Sequence, residues 1–166
     1  MFGNLRTPHD LFEIQLQCLY SAESQLIQIL PLLAGKAQDS RLRAGFEEHL
    51  RETESHMARL HTIGQVLNLD LECASPDAEE MHNFLAEGRK AGPQHAPHEL
   101  PDSALLATAQ CIEHYEIAGY GTAADYAERL GHTQVTQLLH QTLAEAQQTH
   151  SKLAALASCY CQPQAG

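Results

Sequence analysis

The stretch His49-Leu-Arg-Glu-Thr-Glu-Ser-His-Met-Ala-Arg-Leu60 decides how the chain is read. On a helix turning 100° per residue, with His49 at zero, His56 falls at about −20° and Glu52 at about −60°. The apolar stripe of Leu42, Leu60 and Leu67 lies at about 0° to 20°, so three side chains able to hold a metal border a hydrophobic seam. Working outward, Glu23 precedes Glu52 by 29 residues, and the same spacing separates Glu116 from Glu145. The second pair follows the first by 93 residues. That offset also relates Pro8 to Pro101, Gln17 to Gln110, Cys18 to Cys111, Leu50 to Leu143 and Leu60 to Leu153, and sets Asp10 against Ser103. Any two amphipathic hairpins share leucines at some offset. Chance does not also align a pre-helix proline, a cap and two acids in apolar surroundings, so the pattern reads as an internal duplication.

Four long helices follow from the periodicity. The first runs from an Asp10 cap to about Ala34 through Phe12, Leu16, Leu19, Glu23, Leu26, Leu30 and Leu33, with Pro31 predicting a kink or an early stop and Gly35 an end. The second runs from Asp39 or Ser40 to Leu67, its inner stripe being Leu42, Phe46, His49, Thr53, His56, Leu60, Ile63 and Leu67. The third, from Asp102 or Ser103 to about Leu130, carries Leu105, Ala109, Ile112, Glu116, Gly119, Ala123 and Tyr126, small residues that predict a close approach to its neighbours. After Gly131 the fourth extends from Thr133 to about Ala157 through Val135, Leu139, Thr142, Ala146, Thr149, Leu153 and Leu156. Ser75-Pro-Asp-Ala-Glu-Glu80 reads as the capped start of a short helix to about Lys90, followed by an irregular segment to Pro101.

The resulting expectation is an all-α fold. It is a ferritin-like four-helix bundle of two duplicated hairpins, 8–67 and 102–158, joined by a long crossover, 68–101, that contains a short fifth helix, with a flexible tail at 159–166. Residues 1–166 make one domain, large enough to bury roughly 70% of the surface its unfolded chain exposes. No strand signal is present.

A formal net charge of −11 argues against a nucleic-acid surface. No apolar run approaches the ~20 residues that span a bilayer, and the N-terminus lacks a signal-peptide layout, so a cytoplasmic protein is expected. Five cysteines fit reduced thiols, with Cys18 and Cys111 packed as small apolar residues. Cys159 and Cys161 are too few for a four-thiolate site.

The candidate metal ligands are Glu23, Glu52, His56, Glu113, Glu116, Glu145 and His49. Glu113 lies one turn before Glu116 and on its side of the helix. The fourth helix carries Thr142 and Thr149 where the second has His49 and His56, so nitrogen ligands come mainly from the first hairpin. His150 lies about 140° from Glu145 and is a poor co-ligand. Glu47, Glu48, Glu54 and Glu128 are expected on solvated faces, as are His95 and His98 in the crossover. Tyr20 is read as a core residue. No lysine or arginine lies on the seams, so burying these carboxylates without counter-charge would cost several kcal/mol each, and a cation is the natural compensation. Carboxylates with one or two imidazoles suit iron or manganese, two ions per chain, rather than thiolate-loving metals.

At Tyr20-Ser-Ala-Glu23 with Gln25-Leu26, His49-Leu-Arg-Glu52-Thr53, Glu113-His-Tyr-Glu-Ile-Ala-Gly-Tyr-Gly121 and Thr142-Leu-Ala-Glu145, the chain resembles the YciF-type family of ferritin-like bacterial stress proteins. The resemblance spans nearly all of residues 8–157. It implies a homodimer with a rubrerythrin-related di-metal site, including a Glu-x-x-Glu on the third helix like Glu113 and Glu116, and a role in stress responses. The chain departs from the family at Cys18, Ala146 and His150, where members commonly carry acids.

Three functions follow in order. The first is a di-metal site reacting with peroxide or dioxygen, either peroxidase-like with an external electron donor or catalase-like without one. The second is metal binding without turnover, and the third a helical interaction module whose buried acids are protonated.

Overall fold

The structure, a computed structural model, describes residues 7–72 and 102–160. Four helices account for nearly all of them: α1 (Pro8–Lys36), α2 (Ser40–Leu67), α3 (Asp102–Arg129) and α4 (Thr133–Tyr160). Among the described residues there is no strand. The crossover beyond residue 72, with its expected fifth helix, and the tail from 161 onward lie outside the described residues, as do His95 and His98.

Local chemistry sets the ends. α1 starts earlier than expected because Thr7, not Asp10, is its cap: the Thr7 hydroxyl accepts from the Asp10 amide at 3.2 Å, and the Asp10 carboxylate accepts from the Thr7 amide at 3.0 Å. That reciprocal pair satisfies two free amides, and Pro8 at the first helical position has no amide to satisfy. The helix passes through Pro31 and Gly35 to Lys36. Asp39 caps α2, and Asn68 ends it in the left-handed conformation at φ 53°. Gly131, at φ 79°, makes the turn between α3 and α4.

α1 packs on α2 and α3, and α4 packs on α3 and α2. Each neighbouring pair is antiparallel. Gln15 near the start of α1 reaches the Gly119 carbonyl late in α3, while Asp102 at the start of α3 accepts from the Gln38 and Asp39 amides beyond the end of α1. Across the other face, Lys152 meets Glu48 and Arg59 meets Thr142. α2 therefore ends, and α3 begins, at opposite ends of the bundle.

The stripes read from sequence on α1 and α2 are buried throughout, except half-buried Leu67. On α3 the buried face is turned slightly, so that Glu113 and Tyr120 are covered while Ile112 and Tyr126 are half-buried. Gly119 permits the expected close approach, since a Cβ there would meet Leu19 Cδ2 at 2.7 Å. Cys111 is exposed, contrary to expectation, whereas Cys18 is buried. Each fully buried leucine or phenylalanine contributes about 1.5–3 kcal/mol.

These side chains form two separate apolar clusters. One contains Phe12, Leu19, Leu60, Tyr120 and Leu139, the other Leu26, Phe46, Leu42, Ala109 and Leu153. Between the clusters every helix buries polar side chains: Glu23 on α1, His49, Thr53 and His56 on α2, Glu113 and Glu116 on α3, Thr142 and Thr149 on α4, with only the small Ala22 and Ala146 among them. The core is a polar layer capped above and below by hydrocarbon.

Candidate metal centre

Glu116 is the centre of that layer. One of its oxygens lies 3.0 Å from His49 Nε2, and the other lies 3.4 Å from His56 Nδ1. His56 Nδ1 also approaches Glu23 at 3.2 Å, and His49 Nδ1 approaches Glu113 at 3.1 Å. Two groups of potential ligand atoms result, Glu23–His56–Glu116 and His49–Glu113–Glu116, each with its atoms within 4.8 Å of one another and all five residues buried. They share Glu116.

The helix period explains the arrangement. His49 and His56 are seven residues apart, two turns on one face of α2, so each imidazole meets a different level of α1 and α3. Glu113 and Glu116 are one turn apart on α3 and occupy the same two levels. Tyr120, a further turn along, donates its hydroxyl to Glu23 at 2.5 Å.

The electrostatics show strong coupling. Burial pushes the Glu23 carboxyl up to about 7 and that of Glu113 up to about 8, the neighbouring Glu116 charge adding to both. Burial also works against charge on Glu116, but the closely approaching His49 and His56 imidazoles overcome it and hold the group at about 2. The imidazoles respond in kind. Burial opposes their charge, yet contact with Glu116 and, for His56, Glu23 raises His49 to about 9 and His56 to about 10.

Coordination capacity remains after these contacts are made. Glu23 Oε2, Glu116 Oε1 and both oxygens of Glu113 are buried without a hydrogen-bond partner among the described residues. The His49–Glu113 approach is short but misaligned for hydrogen bonding. Leaving a buried oxygen unmatched costs about 1–3 kcal/mol, and charged groups cost more. Hard oxygens with imidazole nitrogens and unused lone pairs fit a divalent first-row cation such as iron or manganese.

The structure places Glu52 and Glu145 differently. Both are half-buried, at the edge of the layer rather than inside it. Glu52 accepts a 2.6 Å hydrogen bond from Thr149. Glu145 lies 3.3 Å from His56 Nε2 but is gripped by Arg59, at 2.6 Å and 2.7 Å. The expectation that no cation borders the seams is therefore corrected: Arg59 sits at about −80° on the wheel that placed Glu52 at −60°, two turns along the same edge. Its long stem lets a seam-edge arginine reach inward. Tyr120 and Thr149 also went unread, although Tyr120 follows Glu116 by four residues and Thr149 was recognised only as a missing histidine. Tyr20 is half-buried and sends its hydroxyl to Glu72, away from the layer. His150 lies against His114 outside the cluster, the rings tilted by 47° with centres 4.4 Å apart. Glu47, Glu48, Glu54 and Glu128 are exposed as expected.

A four-helix bundle with a carboxylate-imidazole layer matches known proteins along its length. Residues 7–165 match the family described as Domain of unknown function (DUF892), and the chain belongs to that family. It is 36% identical over 154 residues to Protein YciF of Escherichia coli strain K12, covering 93% of this chain and 92% of that protein. The crystal structure of that E. coli stress protein matches at TM-score 0.81 and 35% identity, covering 93% of this chain and 96% of the other. YcfI of Rhodopseudomonas palustris matches at TM-score 0.80 and 30% identity, over 93% and 97% of the two chains. A dodecameric thioferritin of Bacteroides fragilis shares the fold at TM-score 0.66 and 16% identity, over 92% of each chain. The bundle is thus ferritin-like. Among the described residues no helix is long and apolar enough to cross a membrane.

Proposed function

We propose that the buried layer is a dinuclear iron or manganese site and that the protein acts in a stress response by reacting with peroxide or dioxygen. The carrying observation is the set of four buried carboxylate oxygens on Glu23, Glu113 and Glu116 that have no hydrogen-bond partner among the described residues and lie around two imidazoles. Glu23, His56 and Glu116 would hold one cation, and His49, Glu113 and Glu116 the other, with Glu52 and Glu145 at the rim. When bound, such a pair supplies reversible electron transfer and a Lewis-acidic platform for a small oxidant. The chain's own residues do the rest. Glu116 ties the two groups together, Tyr120 orients Glu23, and the flanking leucines and phenylalanines keep bulk water from the layer. Turnover as a peroxidase requires an external electron donor; catalase-like dismutation does not. A cytoplasmic homodimer without nucleic-acid or membrane partners completes the reading, with residues 8–67 and 102–158 as the two hairpins of one domain.

A second reading has an observation in its favour. With Glu23 and Glu113 protonated, two imidazoliums flank the ionised Glu116, and the raised values of the other four groups favour such a metal-free layer. The protein is then a helical interaction module; metal binding without turnover is the remaining alternative. Elemental analysis of untagged protein after anaerobic loading with ferrous or manganous ions separates the readings. About two ions per chain in the wild type and none in Glu116→Gln support the site. Absence of metal from both leaves the interaction module; where metal is bound, peroxide consumption distinguishes turnover from metal binding without it.

A further inference from the structure

Glu145 differs from the other acids of the layer in one respect: both of its oxygens are taken. Its Oε1 accepts from Arg59 Nη2 at 2.7 Å and from Gln141 Nε2 at 3.3 Å, and its Oε2 accepts from Arg59 Nη1 at 2.6 Å. Arg59 is itself steadied by a 3.1 Å hydrogen bond from Nη1 to Thr142 Oγ1. By contrast Glu23 and Glu116 each keep one unpartnered oxygen, and Glu113 keeps two. Glu145 nevertheless stands at the layer's edge, its Oε2 only 3.3 Å from the Nε2 of His56. That nitrogen is buried without a hydrogen-bond partner among the described residues and lies across the ring from the Nδ1 that Glu23 and Glu116 approach, so Glu145 is the acid on the Nε2 side of His56, and it is held by a guanidinium.

We propose that Arg59 is a positioning residue that competes with a cation for Glu145. The inference rests on the metal reading of the layer. A guanidinium fork engages a carboxylate through two parallel hydrogen bonds and uses the lone pairs that a cation would need. The same positive charge beside His56 also repels an incoming divalent ion. Arg59 thus stabilises the metal-free bundle by neutralising a half-buried acid, and weakens cation uptake by withholding that acid.

The test is Mn2+ binding, followed by the electron paramagnetic resonance signal of free Mn2+, with the melting temperature of each metal-free protein as a fold control. Arg59→Met is expected to bind Mn2+ up to about fivefold more tightly than the wild type, the scale of an exposed-to-half-buried ion pair removed as a competitor. Arg59→Lys, which keeps the charge but not the fork, should fall between them, and it carries the test should the methionine variant fold poorly. Adding Glu145→Gln to Arg59→Met should abolish the gain, which a purely structural role for Arg59 would not require. Equal or weaker binding in both Arg59 variants, with the wild type still binding, overturns the competition and leaves the metal site standing. No Mn2+ uptake by any of the proteins overturns the metal reading and the competition with it.

Discussion

The two hairpins match in sequence at an offset of 93 residues but contribute differently to the layer. α1–α2 supplies Glu23, His49 and His56; α3–α4 supplies Glu113, Glu116 and Tyr120 to the same layer. At equivalent positions, His49 and His56 face Thr142 and Thr149, and Tyr20 faces Glu113. Tyr20 turns out to Glu72, while Glu113 turns in. Arg59 corresponds to Lys152, yet Arg59 reaches the layer's edge at Glu145 and Lys152 pairs with exposed Glu48. The shared helical positions set where polar side chains can sit. The residue type at each decides which turn into the layer, which brace its edge and which meet solvent.

The largest break in that comparison comes from the shared residue. Glu116→Ala leaves two buried imidazoles without their main counter-charge, and metal-free stability should fall by about 3–5 kcal/mol, measured by chemical denaturation. Next come the histidines. His49→Ala and His56→Ala should each remove roughly one bound ion per chain, whereas Thr142→Ala and Thr149→Val should leave the count unchanged, by elemental analysis. Equal losses from both hairpins would erase the asymmetry.

Acidity sharpens it further. Glu23, Glu113, His49 and His56 all have folded values raised above their ordinary ones, so the fold prefers their protonated forms. That stability is fully present below about 4.5 for the acids and 6.5 for the imidazoles, and is lost as pH rises through about 7, 8, 9 and 10. Glu116 has the opposite sign, its contribution being present above 4.5 and lost as pH falls towards 2. The metal-free melting temperature should therefore decline from about pH 5 to pH 10. The increase caused by added Mn2+ should grow over the same window, because a cation needs the deprotonated ligands. The smallest effect belongs to the scaffold. Gly119→Ala forces Leu19 to move and should cost about 1–3 kcal/mol with the metal count intact.

Much of the bundle was legible because helical period and repeat are properties of the chain itself. The α1 and α2 stripes, the start of α2 at Asp39 or Ser40 and the Gly131 stop are all in the structure. The Thr7 cap was missed because Asp10 serves as the partner in a capping box as readily as it would serve as the cap. Pro31 breaks no helix here, the surrounding buried leucines outweighing one lost hydrogen bond. At the layer, the wheel placed individual side chains but not their pairings across helices. Arg59 to Glu145, Thr149 to Glu52 and Tyr120 to Glu23 each depend on α2–α4 or α1–α3 register, which one helix's angles do not contain.

The most direct measurement is anomalous diffraction from crystals soaked in Mn2+ at neutral pH. Two anomalous peaks flanking Glu116, one against His49 and Glu113 and the other against His56 and Glu23, are the predicted result. No peak within the layer, with the imidazoles still paired to the carboxylates, would contradict a dinuclear centre and leave a bundle that balances its buried acids with its own histidines.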